Sequence, residues 1–408
     1  MKQVDREMKK VKIVHVEDRF HPEMGYQLNF TAKFHRKDVD MHIVCSNSLR
    51  LFSSEGLNES QIKQMDDDFE KRHNIKIHRL PIKYEKQQGY NLLMKGLLRK
   101  IHSLKPDVLF VHAMESYTAF QLLSKKHLYR RYLICTDTHT LDNQFKGGSA
   151  EKLYFRLFKQ RVIKNLNYFN APVFYTATEN KNILLKKYGL KKEQIYPYLI
   201  GTDENVFYSD LYSSKILREK LQISDNKKIV LYAGKFNQPK SPHLIIEALN
   251  HVKDGLSDVC LLMIGGKSEP YYTSVFKATK IDSAIDLIVK DAVKVNELNA
   301  YYNMADVAVF PKENTLSALD AQLCELPVVM ESDLTNEERL QKGGLTYSKG
   351  NYNELGKQIV KLLNDNELRL RLGKEGGQFI LENYTYSAII EHMEDIIINR
   401  LSSINSIQ

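Results

Sequence analysis

The sequence has 408 residues, 43% of them hydrophobic and 27% charged, with 23 Tyr, 17 Phe and no Trp. That composition excludes a disordered or fibrous chain, and the length asks for two domains and not one core. The formal charge of +9 is uneven: residues 1–200 hold 36 Lys and Arg against 21 Asp and Glu (+15), and residues 201–408 hold 23 against 29 (−6). The first half is therefore expected to face something anionic, such as a phospholipid surface, a lipid diphosphate or a nucleic acid, with a solvated lysine-rich surface as the plain alternative.

Cys45, Cys135, Cys260 and Cys324 are far apart and mostly sit in apolar runs, which reads as reduced core thiols and not as a disulfide framework or zinc site. The opening MKQVDREMKKVKIVHV is too polar for a signal peptide, and no later stretch is long and uncharged enough to span a bilayer. A cytoplasmic protein that meets membranes only peripherally is the expectation.

In chain order, short β-branched runs alternate with longer helical patterns, the signature of parallel sheets with crossover helices. The first series of strands is predicted at residues 11–16, 41–46, 75–80, 107–112, 131–137 and 171–177, and the second at 228–234, 259–266, 285–290, 306–311 and 326–332. Pro197, Gly201 and a polar cluster break the periodicity over 196–210, which places the domain boundary there. The predicted organisation is α/β, with Rossmann-like domains over 1–200 and 201–385 and a last helix over 386–408 returning towards the first domain. Two doubly wound domains facing a central cleft would carry their chemistry in the loops at the carboxyl ends of the strands.

Four such loops attract attention. In LYAGKFNQPKSPHLIIEAL (231–249), Gly234 permits a sharp turn, Ser241 can cap the following helix and Pro242 suits its first position, while Lys235 and Lys240 flank the helix start. Backbone amides and two ammonium groups can converge there on an anion, a diphosphate being the natural guest; plain surface lysines are the other reading. In PKENTLSALDAQLCELPVV (311–329), Asp320 can form a cap with Ser317, or accept ribose hydroxyls while the amides of Thr315, Leu316 and Ser317 meet phosphates. In EDRFHPEMGYQLNF (17–30), Gly25 permits close backbone approach, and in CTDTHTLDN (135–143) His139 stands just past a strand, with His112 competing for the same role.

Other chemistries find no support. No P-loop motif is present, no G-x-G-x-x-G follows the first strand, and no spacing of His, Cys or Glu asks for a metal. Asp66, Asp67 and Asp68 lie in a polar helical stretch and read as solvated surface. A nucleic-acid partner is not expected, because the basic half carries no recognised module.

At these loops, from about Val11 to Tyr386, the chain resembles the retaining glycosyltransferase family 4 of the GT-B fold. HPEMGYQ resembles its first Gly-rich loop, with Tyr26 where a second Gly is usual, and residues 176–207 resemble the helix and linker into its second domain. GKFNQPKSP resembles its diphosphate loop, with Lys235 in place of the usual Arg and Lys240 as the usual Lys. YYNMADVAVFP and LCELPVV flank its acidic donor motif, whose second Glu falls on Asp320 and whose first falls on Lys312, with Glu313 adjacent.

The resemblance implies a nucleotide diphosphate sugar as donor, bound mainly by the second domain, and a glycan or lipid-linked acceptor on the first, with no metal or other cofactor. It implies catalytic roles for His139, Lys235, Lys240 and Glu313, a donor site completed by Gly25, Gly234, Thr315, Leu316, Ser317 and Asp320, and retention at the anomeric carbon. Charge developing on the leaving diphosphate needs stabilisation, so removing either lysine should cost about 2–4 kcal/mol of transition-state binding. Basic amphipathic stretches at 96–105 and 151–166 suit an anionic membrane surface, or ordinary packing with snorkelling side chains. A nucleotide-sugar epimerase and a catalytically degenerate binding subunit are the alternatives, the second motivated by Tyr26 and Lys312.

Overall fold

The computed structural model describes residues 10–24, 27–49, 52, 57–86, 91–139, 148–312 and 315–405. It forms two compact units, one comprising the chain up to Ile200 together with the stretch from Ile389 onward, the other Gly201–Ala388.

The first unit holds strands β1 (Val11–Val16), β2 (Val39–Ser46) and β3 (Lys76–Leu80), a hairpin of β4 (Ile82–Glu85) and β5 (Leu92–Met94), then β6 (Val108–Val111), β7 (Leu133–Thr138), β8 (Val173–Tyr175) and β9 (Ile195–Pro197). Seven of these form one sheet in the order β3-β2-β1-β6-β7-β8-β9, every pairing parallel. Val, Ile and Phe fill β1, β2 and β6 because helices cover both faces; Ile13, Val14, Ile43, Val44, Val108 and Phe110 are wholly buried. The first-half strands predicted from the sequence all form, within one or two residues of their bounds in most cases.

The β4–β5 hairpin and β9 escaped the sequence reading. Pro197 looked like a breaker, yet β9 is the edge strand and Pro197 its last residue, a place where a missing N–H costs nothing. The solvated reading of Asp66 is also overturned. It lies in the helix Glu59–His73, which Asn58 and Gln61 close with a reciprocal capping box, and its buried carboxylate takes two bonds from Arg79, at 2.5 and 2.7 Å. The helix Tyr386–Asn405 buries Ile390, Met393 and Ile397, ties its Glu394 to the Arg36 amide at 2.8 Å and accepts Arg36 on Asp395, while Arg400 reaches the Asn170 carbonyl at 2.9 Å.

The second unit holds β10 (Lys228–Ala233), β11 (Val259–Ile264), β12 (Ile285–Lys290), β13 (Val307–Phe310), β14 (Val328–Glu331) and β15 (Gly344–Tyr347), all parallel in the order β12-β11-β10-β13-β14-β15. Here only β15 was missed, its apolar run being short and its start a glycine; Gly344 packs so tightly that a Cβ would lie 2.0 Å from the Val328 carbonyl oxygen. Strand order reverses between β10 and β13 here, and between β1 and β6 in the first unit, so each sheet has one switch point where the loops diverge. No helix among the described residues is long and apolar enough to cross a membrane.

Candidate functional site

In the second unit the loops that leave β10 and β13 flank the switch point, and they are the two singled out in the sequence. Gly234 and Gly265 are there for space and not for backbone torsion, since neither has a positive φ. The Tyr232 ring folds back so that its hydroxyl bonds the Lys235 carbonyl at 2.7 Å, and a Cβ on Gly234 would meet that hydroxyl at 2.8 Å. A Cβ on Gly265 would fall 1.7 Å from the Gly234 carbonyl oxygen. The loop is further pinned by Gly234 N to Ile264 O at 2.9 Å and Phe236 N to Gly266 O at 2.8 Å.

Lys235 is exposed and has no ion pair among the described residues, and Lys240, partly buried, follows it at the start of the helix His243–His251. The expectation that Ser241 caps this helix fails. Its hydroxyl turns back to the Gln238 carbonyl at 2.5 Å and its φ is +45°, a left-handed conformation unusual for a side-chain-bearing residue; the first amides of the helix go elsewhere, His243 N to the Tyr271 hydroxyl at 3.4 Å and Leu244 N and Ile245 N to the Ser241 and Pro242 carbonyls at 3.1 Å each. The His243 ring instead bonds the Tyr271 hydroxyl at 2.7 Å. Burial lowers the pKa of His243, with Glu247 opposing the shift and the Lys312 charge adding to it.

The helix after β13 runs Ser317–Leu323, and the cap proposed for Ser317 and Asp320 does not form. Asp320 accepts from the Thr202 hydroxyl at 2.6 Å instead, and Ser317 N donates to the Thr315 hydroxyl at 3.3 Å. Burial, reinforced by Asp203 and opposed by Thr202, pushes Asp320 up to about 7. Leu316 stands at the cap position of this helix with no side-chain bond to it. Gly25 and Glu313, together with Tyr26, lie outside the described residues.

In the first unit, residues two apart on a strand share a face, and this sets His15, His112, Asp137 and His139 along one side of the sheet. The His15 Nδ1 and His112 Nε2 atoms are 3.0 Å apart, His112 Nδ1 donates to Asp137 Oδ2 at 2.6 Å, and the Ala113 amide donates to Asp137 Oδ1 at 2.7 Å. His139 Nε2 lies 3.8 Å from the same Oδ2 with 46% of its side chain exposed. The two histidines differ in setting: His112 is buried with both ring nitrogens engaged, whereas His139 is partly exposed.

Burial opposes charge on every one of these groups, and the pairings decide the outcome. Burial alone would raise Asp137, but His112 outweighs it and holds the carboxyl far below its usual range. Burial would depress His112 and His139, but Asp137 raises both. Among the described residues His15 has no hydrogen-bonded carboxylate, so burial and the His112 charge drive it well down against the weaker pull of Asp137. Glu17 is raised by burial, and Asp18 is pushed up to about 7 by the same cause.

The sequence reading missed Asp137, Glu17, Thr202 and Tyr271. Only Asp137 left a signal, the D-x-H spacing to His139 at the end of a strand. Among the described residues no group of three or more His, Cys, Asp or Glu is disposed to hold a metal ion.

Comparison with known proteins finds a family match in each unit: residues 12–166 match the family described as "Glycosyl transferase 4-like" and residues 213–379 that described as "Glycosyl transferases group 1". The capsular polysaccharide biosynthesis glycosyltransferase CapM of Staphylococcus aureus is 22% identical over 95% of this chain and 97% of its own length. A D-inositol 3-phosphate glycosyltransferase of Xylanimonas cellulosilytica is 29% identical over 38% of this chain, and the match spans only 39% of that relative. Among solved structures, Anabaena HepE in complex with UDP superposes with a TM-score of 0.67 over 95% of this chain and the whole of that chain, at 13% identity. Two doubly wound sheets, the loops at their switch points and a family match in each unit lead to one conclusion: the chain is an enzyme of the glycosyltransferase family 4-like group, with the GT-B fold.

Proposed function

We propose that the chain transfers a sugar from a nucleotide diphosphate donor, with retention, onto a glycan or lipid-linked acceptor in the synthesis of a cell-surface polysaccharide or glycoconjugate. The observation that carries the donor half is the loop after β10, where an exposed Lys235 and a partly buried Lys240 stand in the turn that leads into the helix His243–His251 and Gly234 and Gly265 strip the backbone of bulk. A diphosphate needs positive charge where its own charge grows as the bond to the sugar breaks, and the two ammonium groups would supply it without a metal. Asp320, near the start of the adjacent helix, is suited to accept ribose hydroxyls in exchange for Thr202. His139 is proposed to hydrogen-bond the sugar being transferred.

The acceptor is assigned to the first unit, whose charge of +15 over residues 1–200 suits a lipid phosphate or an anionic membrane surface. Its helix Ser149–Phe158 exposes Leu153 beside basic residues, which supports peripheral attachment at the inner face of the cell membrane. The polysaccharide pathway is supported by the capsular relative that matches nearly end to end.

The test is a thermal-shift series with uridine, guanosine and adenosine diphosphates, followed by transfer assays with the nucleotide sugars of the stabilising base, because ligand bound to the native state raises its melting temperature. Lys235→Ala and Lys240→Ala should each lower kcat/KM by roughly 30-fold to 1000-fold, the equivalent of an oxyanion donor. Full turnover in both variants removes the lysines from the mechanism. Nucleotide binding with neither transfer nor hydrolysis would mark a binding subunit instead.

A further inference from the structure

We infer that Asp137 is a positioning residue for His139, and that the buried pair His15 and His112 exists to hold that carboxylate in place. The inference rests on the proposed role of His139 at the transferred sugar and adds a device behind it. Asp137 is wholly buried, and an ionised carboxylate there survives only if its oxygens are satisfied. Oδ1 has the Ala113 amide and Oδ2 has His112 Nδ1. His112 is itself fixed on its far side by His15, with Phe110 stacked 4.6 Å from its ring. A carboxylate held at two oxygens, on a ring held at two nitrogens, cannot swing away from the strand end.

His139 leaves the same face two residues later, with Nε2 turned to Oδ2 at 3.8 Å. That separation is ion-pair reach and longer than a hydrogen bond, and such contacts tighten once a substrate is seated. The consequence is a fixed tautomer. Nε2 carries its proton towards Asp137, and Nδ1 is the atom presented to a ligand, as an acceptor when the ring is neutral and as a donor when it is charged. Other charged groups around His139 act in both directions: Glu17 after β1 and Glu115 after β6 favour the charged ring, His112 and His139 oppose each other's charge, and burial drives His15 well down. Asp137 is the carboxylate in ion-pair reach of the ring, so its removal should dominate.

The experiment is a histidine-labelled NMR titration of the full chain, with the His139 signals assigned by their loss in His139→Ala. In the wild type, His139 should show the Nε2–H tautomer when neutral and titrate above its ordinary value. In Asp137→Asn, and more weakly in His112→Gln, it should titrate about one unit lower or more, and the His139 limb of the kcat profile should move to lower pH with KM little changed.

A wild-type His139 in the Nδ1–H form, or one whose titration ignores Asp137→Asn, overturns the inference. The wild-type spectrum decides the matter even if Asp137→Asn does not fold. If His139→Ala leaves transfer intact while the titration behaves as described, the positioning stands and the role given to His139 in transfer falls, so the two failures can be told apart.

Discussion

Replacing Asp66 by Ala should be among the most damaging single changes in the first unit, although the sequence presents it as one of three adjacent surface aspartates. The carboxylate is buried against Arg79, which donates to both of its oxygens and also to the Ser46 carbonyl at 3.1 Å, the Phe20 carbonyl at 3.0 Å and the Cys45 Sγ at 3.7 Å. Truncation leaves a guanidinium whose side chain is 14% exposed with no counter-charge, and breaking a buried pair from one side costs about 3–5 kcal/mol. For a unit of this size each kcal/mol moves the melting temperature by about 2–4 °C, so a fall of roughly 6–20 °C is expected.

Differential scanning calorimetry on the full chain reads the shift, and hydrogen exchange of the β2 and β3 amides shows whether it belongs to the first unit. Adding Arg79→Met to Asp66→Ala should recover part of the loss, because two apolar side chains leave nothing unpaired. A loss below about 1 kcal/mol in Asp66→Ala, the range of exposed ion pairs, would refute the reasoning.

Gly265→Ala places a methyl 1.7 Å from the Gly234 carbonyl oxygen, so it should cost about 1–3 kcal/mol in thermal unfolding and weaken nucleotide diphosphate binding; unchanged binding would detach this glycine from the donor loop. Glu394 is buried, accepts from the Arg36 amide on one oxygen and has no partner on the other among the described residues, and burial pushes it up to about 8. Because its folded pKa is raised, its contribution is fully present below the unfolded value and disappears as pH climbs through about 8. Glu394→Gln should therefore flatten the decline in melting temperature between mildly acidic pH and about pH 9, and an unaltered pH profile would count against a buried, neutral Glu394.

The longer, mostly apolar strands were the legible part of the fold, because burial on both faces demands a run of apolar side chains, as in β10 and β11. The short elements β5, β9 and β15 were not, since three or four residues carry no period that separates them from loop. The loop after β10 was readable as lysines beside a helix start. The reason for its glycines was not, because the Tyr232 ring and the Gly265 backbone that crowd them come from folded geometry and not from adjacent sequence. Local spacing suits Ser241 to a cap, and Asp320 either to a cap with Ser317 or to a ribose, but their observed partners are ones that cap spacing does not supply, the Gln238 carbonyl and the Thr202 hydroxyl. Asp137 was hidden for a similar reason: its importance arises only when β6 and β7 lie side by side.

The passage of the chain between the units bears on how the protein is made. Thr202, at the start of the second unit, bonds Tyr384 and Tyr386 near its end at 2.9 Å each, so the outgoing and returning segments are stitched together. The returning segment then completes the first unit with the helix from Ile389 onward. During vectorial synthesis the earlier-translated unit must wait, missing its last helix, while the whole of the later one emerges and folds. Order of translation and order of completion are thus reversed, and a fragment cut at Ile200 would carry the uncovered Arg36 and Asn170 surface that this helix occupies.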